Sequence, residues 1–186
     1  MVMLRLRRGV PYNVGRMARR APLKVGDIIE IPIDEMHVGY GQIFDISQPG
    51  KFYMGVFDAT YPHGESPDTR EVASNELLFV GETLDALLFH GRWRIIGNAS
   101  VTAEVPYPWY RVAVGAAGIP HVANYARTIV RPAEAHELAL VDHRVTSAPI
   151  ILENALKARH GIGDWRPEYD QLTIDHARQQ AALFAR

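Results

Sequence analysis

Metal binding and acid–base catalysis are the two chemistries to look for among the polar residues of this sequence. His136, Glu137, Asp142 and His143 come nearest to a ligand set. The two histidines stand seven apart and can share a helix face, but no short-range pair such as HxxxH supports zinc. They read more simply as exposed polar positions flanking the apolar run Leu138-Ala139-Leu140-Val141. His63-Gly64-Glu65 offers a base and an acid, yet no nucleophile or oxyanion feature accompanies them. The chain has no cysteine, which removes disulfides, cysteine-ligated metals and a thiol nucleophile. Gly39-Tyr40-Gly41 lacks the third glycine and following helix of a phosphate loop, and Gly161-Ile162-Gly163 follows a helical stretch instead of opening one. There is no GxSxG and no glycine-lysine-serine phosphate motif. The expectation is a protein with no catalytic residue, no metal and no cofactor.

Binding chemistry is better represented. Seven of the 20 basic residues fall in residues 1–26, which hold no acid, so residues 27–186 carry 13 basic and 21 acidic side chains, a net −8. An acidic body disfavours direct contact with nucleic acid, whose phosphates need a basic face, and suits a basic protein partner. The polar stretch 60–75 reads as a surface loop, and the segment from Asp58 to Glu71 is the candidate grip. It offers Tyr61 and His63 as anchors and Asp58, Glu65, Asp68 and Glu71 as acids, against Arg70 alone as a base. Trp109 and Tyr110, between Pro106, Pro108 and a following apolar run, form a second candidate contact. Tyr40, Tyr53, Tyr107, Trp109 and Tyr110 can together furnish an aromatic groove for a peptide or modified side chain.

The elements that must position these residues are mostly strands. Ile29, Ile31 and Ile33 alternate with Glu30 and Pro32, the period of a half-buried strand that Pro32 places on an edge or near a strand end. Val38, Tyr40, Gln42, Phe44 and Ile46 share one face of a second strand, with Gly39 and Gly41 on the other, where the chain bends. Residues 51–59 make a third strand, residues 76–80 a fourth, and Gly91 to Val101 a fifth with Trp93 and Ile95 facing the core. Leu84, Leu87 and Leu88 suggest a helical turn between the last two. Val112–Val114 and His121–Tyr125 are further short strands. Ser147 is placed to cap a helix with Pro149 in its first turn, a stripe of Leu152, Ala155, Leu156 and Arg159, and Gly161 as its stop. Trp165 and Tyr169 anchor the tail, and Asp175 to Phe184 is a last short helix. Strands first and helices last give an α+β fold, mostly β: a small, strongly bent antiparallel sheet or SH3-like barrel followed by C-terminal helices.

At 186 residues the expected organisation is a flexible basic arm over residues 1–23 and one domain over 24–186. No run approaches the roughly 18 apolar residues of a membrane span, and the arm lacks the apolar core of a secretory signal. A cysteine-free chain of this kind is expected in the cytoplasm.

Three blocks go further: Gly26 to Pro32 (GDIIEIP), Tyr40 to Ile43 (YGQI) and Gly91 to Asn98 (GRWRIIGN). They resemble the immunity protein 26 family of bacterial polymorphic toxin systems, and the similarity extends to Arg131-Pro132-Ala133 and to the helix around Leu152–His160. GRWRIIGN is the most specific of them. The resemblance implies a mostly-β protein with a C-terminal helix and a non-enzymatic role: binding and neutralising a cognate toxin domain. The shared blocks read as scaffold, so the resemblance carries no toxin-binding site with it. Two other functions compete. A small-barrel toxin ribonuclease also starts on glycine-aspartate and an apolar strand, but should show a basic groove. A peptide-binding module would use the aromatic groove. Oligomeric state is not legible.

Overall fold

The structure, a computed structural model, describes residues 22–184. The predicted arm lies outside the described residues up to position 21, and Leu23, at its far end, packs against the main core. The chain runs through β1 (Asp27–Pro32), β2 (His37–Gln48), β3 (Lys51–Pro62), α1 (Thr69–Ala73), β4 (Leu77–Leu84), α2 (Ala86–Phe89) and β5 (Arg94–Asn98). It continues with β6 (Tyr110–Val114), β7 (Ile119–Ala123), β8 (Val130–Pro132), β9 (Thr146–Ser147), α3 (Pro149–Arg159) and α4 (Ile174–Ala182). Six strands form one sheet in the order β5-β1-β2-β3-β4-β9, antiparallel except for the β4–β9 pair. A second sheet has the order β6-β7-β8.

The α+β architecture matches the sequence reading, but no barrel closes: β5 and β9 end the large sheet as separate edges. The bend expected at the glycines is present as register shifts between β2 and β3 at Gly39/Gly41, Ile43/Asp45 and Ile46/Gln48. A Cβ on Gly41 would stand 2.6 Å from the Gly55 carbonyl oxygen, and one on Gly39 2.8 Å from Leu156 Cδ2. These glycines therefore bring β3 and α3 close to β2, which is a structural task and not phosphate binding. The shifts also break the single face expected for β2. Phe44 packs with Tyr53 and Tyr110, whereas Ile46 joins the opposite core with Ile43.

The core has two sides. On one, Leu152, Ala155 and Leu156 of α3 cover Ile29, Ile31, Met54, Phe79 and Trp93. On the other, α1 covers Ile28, Tyr40 and Phe57 near one end, and Tyr110, Tyr125 and Ile174 cover Phe44, Tyr53 and Val80 near the other. This two-sided cover corrects the half-buried reading of the first strand. Ile28 and Ile29 are both fully buried, and β1 is an interior strand. Pro32 is indeed its last residue.

Other differences have local causes. Ser147 caps nothing; it pairs with Thr83 as part of β9, and Ala148 precedes the helix, so Pro149 alone pre-sets the first turn. Leu84 ends β4, leaving Ala86–Phe89 as the helical turn. β8 and β9 are three and two residues long, too short for a period to show.

The polar residues of GRWRIIGN are tied to the scaffold. Arg92 and the Trp93 indole N–H both donate to Glu153 of α3, Arg94 donates to Glu30 at 2.8 Å, and Asn98 donates to Asp27 at 2.9 Å. Glu153 is one of four buried glutamates held by cations among the described residues, with Glu30, Glu82 and Glu137. Burial alone would raise Glu82 and Glu153, but Arg144, Lys51 and Thr146 on the first, and Arg92, Lys157 and Trp93 on the second, hold both below the usual glutamate value of 4.5. The Arg131 guanidinium and the Glu134 N–H take Glu137 down to about 2. A carboxylate depressed by folding stabilises the native state above its unfolded pKa and loses that contribution as pH falls toward its folded value. The thermal midpoint is therefore expected to hold near neutral pH and to fall as pH drops below about 4.5. Glu137→Gln is expected to lower the midpoint at pH 7 and to shrink the acid-induced drop. Differential scanning calorimetry from pH 7 to pH 3 checks both, and a midpoint that rises on acidification would contradict the assignment.

Candidate functional site

The expected loop from Asp58 to Glu71 is not one loop. β3 runs on to Pro62, because its outward side tolerates the polar residues that looked like loop, and Thr69–Ala73 is helical. Asp58 leaves the strand toward α3 and pairs with Arg159 at 3.3 Å, on the opposite side of the sheet from α1. Tyr61 is half-buried, its ring edge-on to Tyr40 at 5.2 Å and its hydroxyl accepting from Asn75 at 3.0 Å, so it is a packing residue more than a free anchor. Asp68 caps α1, accepting from the N–H groups of Arg70 at 2.7 Å and Glu71 at 3.3 Å. Glu71 is exposed on that helix, above buried Val72 and Ala73.

His63 and Glu65 are exposed in the remaining turn, and the turn is not alone. The His63 N–H donates to the Met36 carbonyl at 2.7 Å, joining it to the β1–β2 connection. Asp34, Glu35 and Met36 thus share this end of the sheet, and Met36 is 69% exposed. His37 donates to Asp34 and holds its carboxyl below the usual value. Glu35, Glu65 and Glu71 have no side-chain partner among the described residues. Met36 and Glu35 were missed in the sequence because only the β2–β3 register brings residue 36 beside residue 63.

Of the aromatic residues, the structure gathers Tyr53, Tyr107, Tyr110 and Tyr125, with ring centroids 4.9 to 6.3 Å apart, and leaves Tyr40 elsewhere. Tyr110 is core. Burial pushes the hydroxyls of Tyr53, Tyr110 and Tyr125 up, so all three stay protonated. The Tyr53 hydroxyl donates to the Pro106 carbonyl at 2.8 Å, which fixes the proline-rich segment over the sheet. Trp109 is half-buried, 4.8 Å from Phe184, and lines an open groove of about 920 Å³ with Tyr107, Tyr125 and Arg144. A second cavity of about 310 Å³ shares Trp109 and holds an Asp142–His176 contact of 2.6 Å. That contact docks α4, as do the two bonds of Gln180 with the Asp142 N–H and the Leu140 carbonyl.

The metal-like set does not converge. Glu137 turns to Arg131, Asp142 to His176, and His136 to Glu134 at 3.4 Å. Among the described residues no three His, Asp or Glu side chains are placed to hold one ion. No described helix is long and apolar enough to cross a membrane.

The sequence model of the family described as Immunity protein 26 matches residues 24–116, half of the chain. The chain belongs to the immunity protein 26 family. No match to it is found among curated proteins or among solved structures. The matched residues run from the turn before β1 to just past β6 and contain all three sequence blocks. Arg131-Pro132-Ala133 and the helix α3 lie beyond the match. Within the matched segment of this immunity protein 26 member, Trp93, Gly41 and the Arg94–Glu30 pair are framework. The acidic end and one wall of the groove lie on its surface.

Proposed function

We propose that the protein binds a cognate toxin domain in the cytoplasm and neutralises it by occlusion, without catalysis. Membership of the immunity protein 26 family carries this reading. The surface supports it: the acidic residues without partners at the β1–β2 and β3–α1 connections suit a basic target such as a nuclease, with Met36 as an apolar contact at their centre. Asp68 and Glu71 extend that surface along α1, and Trp109 offers a separate anchor; Asp58, Tyr61 and Tyr110 have structural roles that leave them at most the rim of an interface. A ribonuclease reading finds no support in this geometry, since His63 and Glu65 stand exposed on an acidic end.

Growth rescue tests the proposal. A toxin domain encoded beside this chain is expected to arrest growth when expressed alone, and co-expression of the chain to restore it, with a stable complex on gel filtration. Arrest caused by the chain itself, or a toxin that it neither binds nor relieves, would overturn the reading.

A further inference from the structure

The groove beside Trp109 carries a charge pattern opposite to that of the body. Lys51 and Arg144 both pair with one carboxylate, the buried Glu82, at 2.7 and 2.6 Å, so two cations share a single negative charge. Arg127 stands exposed at the rim with no carboxylate partner among the described residues. Asp45 is the one acid that lines the groove, and its Oδ2 already accepts from the Tyr125 hydroxyl at 2.8 Å. The lining is therefore left with surplus positive charge.

Three of the nearby rings already carry a cation. The Arg144 guanidinium lies 4.9 Å from the Tyr125 centroid and 5.3 Å from that of Tyr110, and Arg131 lies 5.1 Å from that of Phe184. A cationic ligand would meet the like charges of Lys51, Arg127 and Arg144, the last already lying over Tyr125. An anionic group next to an apolar or aromatic one fits. Its charge can face Arg127 and Lys51 while its neighbour covers Tyr107 and Trp109.

The rim is held ready for this. Arg127 has φ 55°, the one non-glycine residue in the left-handed region among those described. Asn124 fixes the turn around it: its carbonyl accepts from the Arg127 N–H at 2.9 Å, its Oδ1 accepts from the Ile129 N–H at 3.0 Å, and its Nδ2 donates to Thr128 at 2.8 Å. The groove is open to solvent along its mouth, which suits a chain segment better than a small molecule, whose sites enclose most of the ligand.

We propose that this groove binds an acidic segment of a protein partner, with a carboxylate side chain at Arg127 and Lys51 and an adjacent aromatic or large apolar side chain against Trp109 and Tyr107. The partner's identity as the toxin rests on the immunity reading; the chemistry of the segment does not. One wall, from Asn124 to Phe184, lies beyond the matched residues 24–116. The groove is then a second contact, distinct from the acidic end.

Selection of a random heptapeptide library on the full chain reads the chemistry without the toxin. Enriched peptides are expected to place Asp or Glu beside Phe, Tyr, Trp or Leu. A synthesised winner is expected to lose about tenfold or more in affinity on Arg127→Glu and on Trp109→Ala, and to keep most of it on Arg127→Lys. Arg127→Glu is an exposed change, and an unaltered circular dichroism melt confirms that its loss is not unfolding. Enrichment of Lys- or Arg-bearing peptides, equal binding to Arg127→Glu, or binding of a nucleotide such as ADP in place of any peptide would overturn the proposal. Failed growth rescue with the selection intact removes only the partner's identity. A failed selection with growth rescue intact removes the groove and leaves the immunity reading standing.

Discussion

Trp93→Ala is expected to lower stability by about 3–5 kcal/mol, the range for truncating a large buried aromatic. The ring is 2% exposed, inside the cluster that α3 closes over β1 and β3. Two losses combine. The cavity forfeits packing against Ile29, Leu152 and their neighbours, and buried Glu153 loses the indole N–H that donates to it at 3.1 Å. Arg92 and Lys157 still hold that carboxylate, so the charge is not stranded and the cavity dominates. Trp93→Phe separates the two losses, because it fills most of the space and removes only the donor; about 1–3 kcal/mol is expected for it. For a chain of this size about 1 kcal/mol shifts the melting midpoint by roughly 2–4 °C, so Trp93→Ala should drop it by roughly 6–20 °C. A midpoint within a degree or two of wild type would show that the ring does not support the core and would turn the GRWRIIGN block back into a candidate contact.

That block also shows what the sequence could disclose. Trp93 and Ile95 point to the core as their alternation implies, and Arg92, Arg94 and Asn98 find partners at positions 153, 30 and 27 that no local pattern could indicate. Period-two patterning locates strands well because it reports one face at a time. It failed on β1, where Ile28 and Ile29 are buried on opposite faces and Glu30 is buried as an ion pair, so the polar positions did not mark solvent. It failed on β2 past the shift between Ile43 and Asp45: Val38, Tyr40 and Phe44 keep to one side of the sheet, whereas Ile46 turns to the other.

The same physics explains the uneven legibility of the candidate surface. Polar composition correctly marked residues 63–68 as exposed or nearly so, but composition cannot distinguish a loop from the outward side of an edge-ward strand end or from a short capped helix. Asp58 and Asp68 looked equally free, yet one pairs with Arg159 and the other caps α1. The groove was half legible. Of the expected aromatic set, Tyr107 and Trp109 line it and Tyr40, Tyr53 and Tyr110 do not. Tyr125 with Arg127, Arg144 and Phe184 come from three further segments that only the second sheet and α4 bring to Trp109. Long-range assembly of short elements leaves no periodic trace.

These distinctions decide which acids to reverse. Lysine at Asp58 or Asp68 would break the Arg159 pair or the helix cap, and a loss of protection could then be a loss of fold. Glu35, Glu65 and Glu71 are exposed and without side-chain partners among the described residues, so Glu35→Lys, Glu65→Lys and Glu71→Lys together should leave the melting midpoint within a few degrees of wild type. Each reversal removes an attraction for a basic toxin and adds a repulsion. The triple variant is expected to slow association by about 10- to 100-fold at low salt, because opposite fields raise encounter rates by factors of this order. The lost part is screened by added salt, so the wild-type rate should fall steeply between low and physiological ionic strength and the variant's should change little or rise. Dissociation should be less affected, since rim charges act mainly on encounter. Stopped-flow mixing at two salt concentrations, alongside growth rescue, measures this. A folded triple variant that protects fully and keeps the wild-type salt dependence would move the toxin interface off the β1–β2 and β3–α1 end. The groove at Trp109 and Arg127 would then be left to carry the contact alone, and Arg127→Glu should abolish protection where the triple variant did not.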